Sequence, residues 1–186
     1  MRKTSMVTAV VGLSLLASAC SSATNSGRSG TASEQHNEAD VTFAQDMISH
    51  HKQAIEMSEI ASESNNPAIR ELVRQIERQQ EPEIEKMESF LRKWGSSMAM
   101  GEHHMASMPG MMSEGELEEL RSASGVSLDR MFLTMMVEHH KGAMKNAKRE
   151  IEEGDSKDAI ALATSIRQAQ RSEVEEMQQL LGQINS

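Results

Sequence analysis

Between Asp40 and Ile184 apolar residues recur every third or fourth position in four blocks, each several helical turns long. At about 100° per residue, Phe43, Met47, His50, Ala54, Met57 and Ala61 fall on one stripe, with Ile48, His51 and Ile55 on its flank. Phe132, Met136, His139 and Ala143 repeat that stripe, flanked by Val137, His140 and Met144. The second block presents Leu72, Ile76, Glu83, Met87, Phe90 and Trp94, with Gln80 at its edge, and the fourth presents Leu162, Ile166, Glu173, Met177, Leu180 and Ile184 with Gln170. The spacing predicts helices near 41–64, 68–94, 128–152 and 156–183. Asp40 and Asp129 are expected as N-caps, Asn66-Pro67 as cap and first turn, and Gly154-Asp155 as stop and restart. Pro82 removes one backbone hydrogen bond and predicts a kink. Ser113-Glu-Gly-Glu116 has the form of a capping box and opens a short helix ending near Gly125.

The first and third blocks align at an offset of 89 residues and the second and fourth at 90, so the chain contains a duplicated helical hairpin. Four amphipathic helices joined by short turns make an all-α, antiparallel four-helix bundle the expected fold. The hairpins span 40–94 and 127–186, joined by a linker over 95–126.

Composition narrows the class. Aromatic residues make up 2% of the 186 residues, which removes an all-β fold from consideration. One Cys excludes a disulfide framework and multi-Cys metal sites. A formal charge of −9 suits cations and argues against nucleic acid as a partner. Sixteen Met and seven His supply the thioether and imidazole donors that select copper-like metals.

The N-terminus reads as a secretory signal over 1–19: Arg2 and Lys3, an apolar run, then small residues ahead of Cys20. Cys20 stands where a bacterial lipoprotein carries its lipid, in a sequence resembling a lipobox with Ala17 in place of the usual Leu. The protein is therefore expected outside the cytoplasm, as a membrane lipoprotein or, if Cys20 is unmodified, as a secreted or periplasmic protein. Residues 20–39 are polar and small and read as a flexible tether, with His36 a solvated side chain. Loss of Arg2 and Lys3 leaves 17 basic against 28 acidic residues, a formal −11.

The candidate chemistry lies on faces that should be dry. The unit Met-x-x-His-His occurs at Met47, His50 and His51 and again at Met136, His139 and His140, and its Met and His lie one helical turn apart. A third copy, Met100, His103 and His104, sits in the linker among Met98, Met105, Met108, Met111 and Met112. Met commonly serves as core filler, but a Gly- and Ser-rich linker has no periodic face to bury, so these residues read as metal ligands. Met57 joins the ligand set; its repeat counterpart is Asn146. Gln80, Glu83, Gln170 and Glu173 are placed to orient imidazoles from behind. The rival account is that His and Glu satisfy one another in a structural or partner-binding bundle with no tight metal site.

Phe-x-x-x-Met-x-x-His-His-x-x-Ala followed by Gln-x-x-Glu-x-x-x-Met resembles the ferritin-like domain-of-unknown-function family 305, here duplicated. The resemblance covers Asp40 to Ile184 and implies a helical bundle, secreted or lipid-anchored, with some members binding copper and conferring copper tolerance. It makes copper the expected cofactor or cargo, with Cu(I), Cu(II) or Ag(I) as ions and a copper exporter or another copper protein as partner. No enzyme is expected. Di-iron sites need Glu three residues before His, and every such position here holds Met, Ile, Gly, Val or Ser. No nucleophile elbow is present either.

Overall fold

The computed structural model describes residues 35–98 and 108–184. These form five helices: α1 Glu38–Ala61, α2 Pro67–Trp94, α3 Glu114–Ser122, α4 Gly125–Glu153 and α5 Lys157–Ile184, with no strand among the described residues. Helix α1 packs on α2 and α4 on α5, as two hairpins. The hairpins meet chiefly through their first helices, α1 against α4.

Helix starts correct two expectations. The cap of α1 is Asn37, whose side chain accepts from the N–H of Ala39 (2.7 Å) and Asp40 (3.2 Å), while Asp40 Oδ2 accepts from Asn37 N–H at 2.6 Å. Asp40 is thus the return half of a capping box. Asp129 lies inside α4, which begins at Gly125 with φ +57°. Both aspartates are nonetheless structural, because each ties its own helix to the turn of the other hairpin. Asp40 accepts from the N–H of Asp155 and Ser156 (2.9 Å to Ser156). Asp129 accepts from Ser64 Oγ at 2.5 Å. The restart of α5 falls to Ser156, whose Oγ accepts from Ala159 N–H at 3.3 Å. Asn66 caps α2 ahead of Pro67, and Ser113 and Glu116 form the expected box on α3. Helix α2 continues through Pro82 without interruption.

The tether ends sooner than composition suggests. Gln35 Nε2 donates to Asp155 and Asn37 Nδ2 donates to the Glu153 carbonyl, so this segment is held on the α4–α5 turn. His36 stacks on Trp94, ring centroids 4.9 Å apart and nearly parallel, rather than standing in solvent. An imidazole face is a good stacking partner for indole, and composition counts do not register that.

The core forms two clusters. One joins Phe43, Met47, Met87 and Phe90 to Ala143, Ala147 and Ile166. The other joins Ala54, Met57 and Ile76 to Phe132, Met136 and Met177. In each, the start of one hairpin's first helix packs near the end of the other's, so α1 and α4 cross antiparallel. His50 and His139, midway along both helices, mark the centre of the crossing.

Candidate metal centre

Helical period turns all four His of the two His-His pairs inward, and each is essentially buried. The outer member of each pair is held by its own hairpin. His51 Nε2 donates to Glu83 Oε2 at 2.7 Å, and His140 Nε2 donates to Glu173 Oε2 at 2.8 Å. Both bonds occupy Nε2 and leave Nδ1 without a hydrogen-bond partner. A carboxylate behind an imidazole fixes ring orientation and raises basicity at the other nitrogen, the usual support for a metal-binding His. Glu173 is buried, whereas Glu83 keeps one edge in solvent.

The inner members face each other. The rings of His50 and His139 meet edge to face, centroids 4.7 Å apart, and none of their four nitrogens makes a well-formed hydrogen bond. Burial, reinforced by the neighbouring His51 and His140, pushes His50 down to about 4, with the Pro109 carbonyl pulling the other way. Burial holds His139 well below the usual imidazole range, with His50, His140 and His51 adding repulsion. Both rings are neutral at physiological pH, so each keeps a lone pair available to a cation. Buried polar atoms left without a good hydrogen bond each cost roughly 1–3 kcal/mol. Gln80 lacks partners at both amide atoms, and Gln170 at Oε1.

The thioethers sort differently from their order in sequence. Met47, Met57 and Met136 are fully buried. Met57 shares its cluster with Met136 of the other hairpin, while Met47 lies in the opposite cluster. Two soft donors therefore belong to the cluster on one side of the crossing and one to the cluster on the other. At the other end Asn146, the counterpart of Met57, accepts from Arg149 Nη2 at 2.9 Å. Periodicity assigns a residue to a face but not to a partner helix, so the placing of Met57 and Met136 in one cluster could not be read from one repeat.

Of the linker residues, Met98 is 43% exposed, Met111 and Met112 are half-buried, and Met108 is buried. Met108 and Pro109 line a cavity of about 100 Å3 together with His50, Asp46 and Asn146. Met100, His103, His104 and Met105 lie outside the described residues, as does Cys20. Among the described residues no three His, Cys, Asp or Glu are arranged to hold a metal ion. A cation here would draw on His50 and His139 with thioether sulfur, a donor set that fits soft or borderline metals rather than hard ones.

Fold and donor set together define a duplicated helical bundle with a His-lined, Met-flanked interior. A family model of the domain of unknown function DUF305 matches residues 40–181, and the chain belongs to that family. A DUF305 protein of Streptomyces coelicolor is 29% identical with a TM-score of 0.74, the match covering 80% of this chain and 94% of that one. A DUF305 fragment from Deinococcus radiodurans is 30% identical with a TM-score of 0.73, covering 79% and 97%. CopM in its Cu(I)-bound form is 27% identical with a TM-score of 0.67, covering 77% of this chain and 96% of CopM. CopM is also solved with Cu(II), at 29% identity and the same TM-score and coverage. Among curated proteins none matches the chain. No helix among the described residues is long and apolar enough to cross a membrane.

Proposed function

We propose that this chain is a non-catalytic, extracytoplasmic copper-binding protein, tethered to a membrane through a lipid on Cys20. It sequesters copper or hands it to a copper exporter or another copper protein. The observation that carries the reading is the His50–His139 pair, two neutral imidazoles in contact, none of whose ring nitrogens makes a well-formed hydrogen bond, the Pro109 carbonyl being the one acceptor near His50. A purely structural role would be expected to pair such buried nitrogens, whereas a soft cation between or beside the rings would satisfy them. His51 and His140, set by Glu83 and Glu173, join as further donors through Nδ1. Met47, Met57 and Met136 supply sulfur, and the linker thioethers with His103 and His104 add weaker, faster sites. Likeness to CopM, solved with Cu(I) at 27% identity, supports copper as the ion.

Titration of the mature protein with Cu(I), Ag(I) and Cu(II), read by native mass spectrometry, tests this directly. At least one tightly held Cu(I) per chain is expected. Failure to retain any ion would leave the structural reading, which draws its support from the satisfied His51–Glu83 and His140–Glu173 bonds.

Anchoring makes a separate prediction. The full-length protein is expected to sediment with membranes, and Cys20→Ala to release it. Equal partition of both forms would argue for plain secretion.

A further inference from the structure

Residues 108–112 form a strap between α4 and α1, and it is fastened at two positions that the duplication makes equivalent. Gly142 follows His139 by three residues, as Gln53 follows His50. At Gly142 the absence of a side chain is what admits the strap. A Cβ there would overlap the Pro109 carbonyl oxygen and lie 2.7 Å from Gly110 Cα. Gly110 answers with φ +84°, a conformation open to glycine, and a Cβ on it would sit 2.7 Å from the Glu138 carbonyl oxygen. At the other end Gln53 grips Met112 twice: Gln53 Nε2 donates to the Met112 carbonyl at 2.8 Å, and Met112 N–H donates to Gln53 Oε1 at 2.7 Å. Between these fastenings the chain has little freedom. Met108, just before the first of them, is 7% exposed and shares the small cavity beside His50.

From this juxtaposition we propose that Met108 is a ligand of the inner site, completing the donor set at His50, and that the strap pinned at Gly142 and Gln53 governs how fast the ion exchanges. The proposal rests on the copper reading above and assigns Met108 to the core rather than to the linker sites. A thioether delivered on a fastened strap costs little ordering when the ion binds, and it blocks the path beside His50 until the strap lifts.

The test is release of Cu(I) from the loaded mature protein to excess bathocuproine disulfonate, followed by stopped-flow absorbance. Met108→Leu keeps the bulk and removes the sulfur; Gly142→Ala removes no donor but displaces Pro109. Both variants are expected to release the slowest Cu(I) at least about tenfold faster than wild type, whereas Met131→Leu, a partly buried packing residue of α4 outside the cavity, should match wild type. Wild-type release from either Met108→Leu or Gly142→Ala overturns the proposal. If Gly142→Ala fails to fold, Gly110→Ala disturbs the same contact from outside the helix and takes its place. His50→Ala run in parallel separates the two levels. Loss of the slow Cu(I) there, with wild-type kinetics in the strap variants, removes the strap and keeps the site. Retention of the slow Cu(I) in His50→Ala removes the inner site itself.

Discussion

Replacing His50 and His139 together by Ala should abolish the tightest Cu(I) and Ag(I) binding and leave the bundle folded. Two imidazoles removed from one site is expected to weaken it by about 100-fold or more, since losing even an orienting group typically costs 10–100-fold. Stability should change by much less than two large core truncations normally do. Each substitution opens a cavity but also removes two buried nitrogens without a well-formed hydrogen bond, whose burial was itself unfavourable. Competition against a chelator series gives the affinity, and thermal unfolding of the apo-protein gives the stability. A collapsed fold with unchanged copper binding per folded molecule would make the pair structural and leave only the linker as a metal site. A linker deletion run beside it should stop before Met108, because Met108 to Met112 are fastened to the core.

The second large effect is on stability and comes from Asp40 and Glu150, two buried carboxyl groups side by side. Burial works to raise Asp40, but hydrogen bonds from Asn37, Glu150, Ser156 and Asp155 outweigh it and leave its pKa lowered. Glu150 is pushed up to about 8, first by burial and then by Asp40, as hydrogen-bond partner and as like charge, with Arg149 opposing. Glu150 is therefore the carboxyl that keeps its proton at neutral pH, beside an ionised Asp40. Because the folded Glu150 binds its proton more tightly than the unfolded one, this stabilisation is full below the ordinary carboxyl range. It is lost as pH rises toward about 8. The slope is at most about 1.4 kcal/mol per pH unit. Glu150→Gln keeps the shape and a donor without the titration. It should match wild type near pH 5 and be more stable by about 2–3 kcal/mol near pH 8.5, seen in denaturant unfolding across that range. Parallel stability curves would show that Glu150 does not hold its proton in the folded state. The equivalent position in the first hairpin is Ala61, so the effect belongs to one end of the molecule only.

How far the sequence reveals this molecule depends on the range of the interaction. Periodicity placed Phe43, Met47, His50 and Met57 on a buried stripe, and all are buried, because a helix face is a local property. The repeat likewise marked Glu83 and Glu173 as partners of imidazoles, while which His each one takes, His51 and His140 of its own hairpin, is settled only by the packing. What escaped notice spans the hairpins. Asp40 has the chemistry of an N-cap and so concealed its grip on residues 155 and 156 of the distant turn. Glu150 looks in sequence like one more surface acid of α4. Gly142 reads as a weak point in a helix, and only the strap lying on it shows why no side chain fits. A signal was available at that position: the repeat places Gln53 opposite Gly142, an unlike pair within an otherwise matched block.

The crossing of α1 and α4 places one imidazole of the inner pair on each copy of the duplicated unit. A lone hairpin would own half a site and would have to find a second copy, with an affinity that falls as the protein is diluted. Fusing the copies makes that encounter intramolecular, at an effective concentration fixed by the chain between them. At any dilution the number of complete His pairs then equals the number of chains. Fusion also frees the two copies to differ, which two identical subunits cannot do: one keeps Met57 where the other has Asn146, and one holds the strap with an amide while the other makes room for it.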